Sequence, residues 1–166
     1  MGTSELQPES QPESQPESHQ ESQPESHQEA HLLSITGGPF LRDLGVDLIS
    51  MKNGEAEIAL TLEERHMNSW HVTHGGVTMT LLDVAMSMAG RSLDPQAKGG
   101  VTIEMKTSFL QPAGQPGTRI VARGRAFHRS TTMCFCDGEV WDGERLVARA
   151  MGTFKYIRRV RDKQET

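Results

Sequence analysis

Apolar and polar positions alternate along most of the chain after residue 38, and the alternation stops for one long apolar run. Residues 55–62 put Ala56, Ile58, Leu60 and Leu62 on one face and Glu55, Glu57 and Thr61 on the other, the period of a half-buried strand. Upstream, Pro39 and Gly45 bracket a short helix. Residues 46–51 read as extended, and Asn53-Gly54 is a hairpin signal. From about Gly75 to Arg91, nine residues (Val77, Met79, Leu81, Leu82, Val84, Ala85, Met86, Met88, Ala89) cover nearly the whole circumference of a helix. A helix apolar all round is a buried one. Residues 101–109 alternate again, with Val101, Ile103, Met105 and Phe109 against Thr102, Glu104, Lys106 and Ser108. A Pro/Gly turn at 111–117 precedes strands at 118–129 and 131–141. Asp142-Gly143 makes a tight hairpin, and 146–156 closes what reads as a four-strand meander.

One helix cannot cover both faces of a sheet. The pattern therefore predicts an α+β domain over residues 37–157, a curved antiparallel sheet wrapped around one long central helix. Its outer face and edges are expected to be handled by self-association.

Composition separates the two ends from this domain. Residues 7–30 repeat a four-residue unit built on Gln-Pro-Glu-Ser and hold nothing to bury except Ala30. Such a tract cannot offset its conformational entropy, so residues 1–36 are expected to be a disordered acidic tail. It has neither the basic stretch nor the apolar stretch of a targeting signal. Residues 158–166 are charged and expected to fray. The first 30 residues carry seven Glu and no Lys or Arg, so the remainder is weakly cationic while the whole chain is −5. That balance is compatible with a polyanionic small ligand and too slight to imply nucleic acid. Cys134 and Cys136, two apart on a strand, lie roughly 7 Å from each other. This is strained for a disulfide and too few for a metal site, and it suits small core residues in a reducing cytoplasm. No apolar run reaches membrane-spanning length.

Candidate chemistry centres on residues 66–91. Asp83 interrupts the apolar helix, where an ionised carboxylate is costly unless paired. It is either a functional group or a partner for a nearby Arg or His. Gly75 and Gly76 open the helix, where unpartnered amides and the helix dipole can polarise a carbonyl, although an ordinary glycine-rich helix entry looks the same. Eight residues separate Gly75 from Asp83, about 12 Å along the axis. Both can act on one carbonyl only if they come from different copies, which predicts a homodimer with two composite sites. Thr80 and Ser87 share the face of Asp83 at one-turn spacing; the alternative for Ser87 is a buried hydroxyl bonded to its own helix backbone.

His66-x-Asn68, then His74-Gly75-Gly76, then Asp83 on the helix resembles the signature of the hotdog-fold acyl-CoA thioesterases of the PaaI-like (phenylacetyl-CoA thioesterase) group. Residues 124–132 and 146–154 are similar as well, so the resemblance spans about 38–156. It implies hydrolysis of an acyl-CoA to free acid and CoA, with no metal or cofactor. The Gly75 amide would polarise the thioester carbonyl. Asp83 would activate water or attack directly, Asn68 would position water or thioester, and His74 would orient the loop or contact the thioester region. His128, Arg129 and Ser130 would lie near the CoA phosphates and pantetheine. The implied partner is the acyl-CoA itself, in a cytoplasmic homodimer or homotetramer, with no nucleic acid and no membrane. Two other readings are an acyl-CoA sensor without turnover and an enoyl-CoA hydratase or dehydratase. This chain departs from the pattern at His71, where such enzymes often carry Gly.

Overall fold

The computed structural model describes residues 1–2, 38–94, 96–97 and 99–157; residues 3–36 of the tail expected to be disordered, and the segment 158–166 expected to fray, lie outside the described residues. Helix α1 spans Pro39–Leu44, with Pro39 in its first turn and Gly45 in the left-handed conformation that ends it. Strands β1 (Val46–Lys52) and β2 (Glu55–Thr61) form a hairpin through Asn53 and Gly54, both at positive φ. Helix α2 (Gly75–Ser92) follows, then β3 (Gly99–Phe109), β4 (Arg119–Arg129), β5 (Met133–Asp142) and β6 (Arg145–Ile157).

All six strands make one antiparallel sheet in the order β1-β2-β4-β5-β6-β3. This corrects the expected four-strand meander: of its four strands only β4, β5 and β6 are consecutive neighbours. Helix α2 crosses the sheet between β2 and β3, so β3 lands at the far edge against β6. The segment 110–118 brings the chain back, and Leu62 and Thr118 share a backbone bond where it returns.

Helix α2 lies very close to the sheet because glycines face it. A Cβ on Gly124 would collide with the Ala85 carbonyl, and one on Gly138 would stand 2.8 Å from Met86 Cγ. A Cβ on Gly90 of the helix would collide with Cys134 Sγ. The core against this contact holds Ile58, Leu60, Leu81, Leu82, Ala85, Met86, Ala89, Val140 and Phe154. Cys134 and Cys136 are buried there as free thiols on one face of β5. Hydrogen bonding from its neighbour Cys136 pulls the Cys134 thiol down to about 7, and the same pairing, with burial, pushes Cys136 up.

The helix is not buried all round. Thr78, Leu81, Leu82, Ala85, Met86, Met88, Ala89 and Gly90 are buried, whereas Gly76 and Met79 are exposed and Thr80, Asp83 and Ser87 half-buried, a partly uncovered stripe along one side. The opposite side of the sheet is polar. Glu57, Arg123, Glu139 and Arg149 stand opposite one another across four strands, and Glu55, Arg125 and Asp137 make a parallel row. Ion pairs join Arg123 to Glu57 (2.8 Å), Arg125 to Asp137 (2.7 Å) and Arg149 to Glu139.

Between β2 and α2 the chain makes a pinned hairpin. A 3-10 turn, Glu64–His66, leads into a bridge between Met67 and Thr73. His74 N donates to the His66 carbonyl at 2.8 Å, and Asn68 N donates to the Val72 carbonyl at 2.9 Å. The Thr73 hydroxyl donates to the Gly114 carbonyl at 2.9 Å, tying the hairpin to the returning segment. At the tip His71 sits at φ 56, the left-handed region that favours glycine.

Two stability outcomes follow from these contacts. Gly124→Ala lowers the thermal midpoint by about 10 °C or more, since backbone cannot yield to the added methyl, while Gly99→Ala, with open space around it, changes it little. His71→Gly leaves the midpoint unchanged or higher, and His71→Val costs about 1–2 kcal/mol by denaturant titration.

Candidate functional site

Helix α2 begins at His74, whose ring closes its own first turn: Nδ1 accepts the Gly76 amide at 2.9 Å. That bond consumes one of the two glycine amides. The Gly75 amide is the other, and among the described residues no acceptor meets it. The Phe109 ring stands over Gly75, about where a side chain would begin. Gly75 is thus a partly covered N–H donor at the positive end of an 18-residue helix.

Two turns along the same helix, Asp83 is half-buried. Its Oδ1 accepts the Thr102 hydroxyl at 2.6 Å. No Arg, Lys or His is paired with it among the described residues, so the expected alternative of a structural ion pair is not what the fold provides. Asp83 lies in a groove of about 430 Å³ with Phe40, Leu41, Met79, Thr80, Val84 and Met105. Helix α1 forms one wall, α2 the floor and β3 the other wall. An apolar groove containing one carboxylate held by a hydroxyl suits a reaction in which a base or nucleophile meets an apolar substrate. A larger concavity, about 780 Å³, lies on the outer face of the sheet among the ion pairs described above. Its cations and anions largely satisfy each other, so the smaller groove is the better candidate.

Thr102 was not foreseen. Strict alternation puts it on the polar side of β3. A bulge between Thr102 and Glu104 shifts the phase, so that Thr102 and Gly100 face the helix before it and Met105 and Phe109 face it after. The same bulge leaves Val101 and Ile103, expected in the core, exposed at 47% and 56%. The three helix methionines also divide: Met86 and Met88 are core, and Met79 alone lines the groove.

The other expected site residues fall into two groups. Asn68, His74, Gly75 and Gly76 lie together on the hairpin and the helix start. The Asn68 Oδ1 accepts the amides of Trp70 (2.9 Å) and Val72 (3.4 Å), which leaves its NH₂ group for a ligand. Thr80 donates to the Gly76 carbonyl at 2.9 Å, whereas the Ser87 hydroxyl faces Gly100 of β3. His128, Arg129 and Ser130 stand at the β4–β5 turn, near the opposite end of α2. Arg129 donates to the Leu93 carbonyl just past that helix, stands 4.0 Å from Asp94, and lies over the Tyr156 ring. His128 packs on Phe135, and the Ser130 Oγ accepts the Met133 amide at 3.1 Å. A single chain therefore keeps Gly75 and Asp83 two turns apart, with the His128–Ser130 turn at the far end of the helix.

A family model described as thioesterase superfamily matches residues 71–148, which hold helix α2 and strands β3, β4 and β5. A relative from Saccharolobus solfataricus that carries a provisional esterase name is 30% identical over 120 residues, covering 69% of this chain and 75% of that protein. Human acyl-coenzyme A thioesterase 13 is 32% identical over 97 residues, 58% of this chain and 68% of the human protein. Among solved structures, the Escherichia coli PaaI protein of the phenylacetic acid degradation operon aligns with a TM-score of 0.68 at 26% identity, covering 78% of this chain and 91% of that one. Fold, helix and sequence agree: the chain belongs to the thioesterase superfamily, has its hotdog fold, and is a thioester hydrolase.

Proposed function

We propose that the thioester is that of an acyl- or aryl-CoA, hydrolysed to free acid and CoA at a site shared by two copies of the chain. One observation carries the reading: Asp83, oriented by Thr102, stands on the partly uncovered side of a helix whose free Gly75 amide is too distant to reach the same carbonyl. Two such helices running antiparallel about a two-fold axis bring Gly75 and Asn68 of one copy to Asp83 and Thr102 of the other. The edge of β3 supports this pairing. It is eleven residues long and exposes Val101, Ile103 and Phe109, a liability for a lone chain that strand pairing removes. Stacking of two dimers into a tetramer is compatible with the same arrangement.

In this site the Gly75 amide donates to the thioester oxygen, and the Asn68 NH₂ group holds the water or the thioester. His74 keeps Gly76 turned into the helix so that Gly75 is the amide presented. Asp83 takes a proton from water as the oxygen attacks the carbonyl carbon. The negative charge then formed on the carbonyl oxygen is met by the Gly75 amide. Collapse breaks the C–S bond, and the CoA thiolate leaves and takes up the proton. Direct attack by the Asp83 carboxylate, followed by hydrolysis of the anhydride, uses the same groups. Thr80 and Ser87 flank the carboxylate. The acyl group lies in the groove of Phe40, Leu41, Met79, Val84 and Met105. His128, Arg129 and Ser130 face the CoA phosphates and pantetheine; Arg129 exchanges its hold on the Leu93 carbonyl for a phosphate. All of this chemistry is carried by side chains and one amide, without a metal or cofactor. No helix among the described residues is long and apolar enough to cross a membrane.

A panel of acyl-, aryl- and enoyl-CoA substrates tests the reading. The wild-type chain releases free CoA, Asp83→Asn lowers kcat/KM by about 10²-fold or more, and Thr102→Val lowers it by about tenfold. Binding without release would favour a sensor, and addition of water to the enoyl substrate a hydratase. Mixing inactive Asp83→Asn with inactive Asn68→Ala restores about a quarter of the activity if the two groups come from different chains. Separately, deleting residues 1–30 leaves kcat/KM within about twofold, because that segment supplies none of these groups.

A further inference from the structure

We infer that His66 is a positioning residue that sets the direction of the Gly75 amide and of Asn68; the inference rests on the reading of those two groups as the grip on the thioester. His66 lies in a polar loop yet is only 1% exposed. Its Nδ1 accepts the Glu63 amide at 2.9 Å. A ring nitrogen that accepts cannot also carry the hydrogen, which therefore sits on Nε2. Nε2 has no partner among the described residues. A buried donor without an acceptor weakens a fold, and an aliphatic side chain would fill this space without that cost.

The imidazole supplies geometry instead. Its ring holds the Glu63 amide while the His66 amide donates to the Glu63 carbonyl at 2.9 Å, so the turn is closed from both sides. The His66 carbonyl then accepts the His74 amide at 2.8 Å. His74 caps α2 directly before Gly75, and Asn68 follows His66 by two residues. One buried ring thereby fixes both ends of the hairpin that carries the two groups. A displacement of about 1 Å at such groups costs on the order of 100-fold in rate.

Asparagine and glutamine separate acceptor from bulk. The Oδ1 of Asn occupies the place of Nδ1, whereas the Oε1 of Gln occupies that of Nε2. His66→Asn is expected to keep kcat within about threefold, and His66→Gln to lower it about 10- to 100-fold with KM within about threefold, both variants unfolding cooperatively. Equal activity of the two variants, or equal impairment by unfolding or otherwise, overturns the assignment. Asp83→Asn is run beside them. If it is inactive while His66→Gln is unimpaired, only the role of His66 falls. If Asp83→Asn turns over normally, the site itself has been misread.

Discussion

The structure depends on how closely one helix lies to its sheet. Gly124 and Gly138, on adjacent strands, and Gly90, on the helix, remove the side chains that would hold the two apart. This contact fixes the rotation of α2 about its axis. Leu81, Leu82, Ala85, Met86 and Ala89 must face the middle of the sheet, so Asp83 must face sideways, toward the edge strand β3 and the groove. The position of the carboxylate is a consequence of packing at the glycines, not of any contact the carboxylate itself makes. Burial of the five apolar side chains resists rotation far more strongly than one hydrogen bond to Thr102 could.

Within that frame the groups proposed for hydrolysis occupy places where polarity costs little in the resting protein and would count for much in the reaction. The Gly75 amide is an orphan of every helix start, so no bond is broken to free it. Asp83 is half-buried, with one hydroxyl donor, and retains capacity to accept a proton. Charge that develops on the thioester oxygen would meet a donor already in place, which is the condition for selective stabilisation of a transition state.

Much of this was legible in the residues. The Asn53-Gly54 turn, the alternation of β2 and the apolar run of α2 are local signals, and local geometry realises them. The place of β3 was not legible, because the turn at 111–117 reads as a hairpin while the chain actually spans the sheet there. Thr102 was hidden by a one-residue bulge, which alternation cannot express. His66 read only as the first residue of a loop signature; its burial accompanies closure of the hairpin onto the returning segment, which a local pattern does not express. His71 is the reverse case. The expectation of glycine there came from resemblance, and the positive φ supplies its physical reason.

The outer face of the sheet has a consequence for how a charged ligand arrives. Its rows alternate in sign from strand to strand, Glu57 beside Arg123 beside Glu139 beside Arg149. Alternating charges a few ångströms apart cancel within about one Debye length, so this side projects almost no field into solution. A polyanion diffusing nearby feels no pull toward the larger concavity despite its four cations. On the proposed reading, capture falls to the helix side, where the positive end of α2 opens at Gly75.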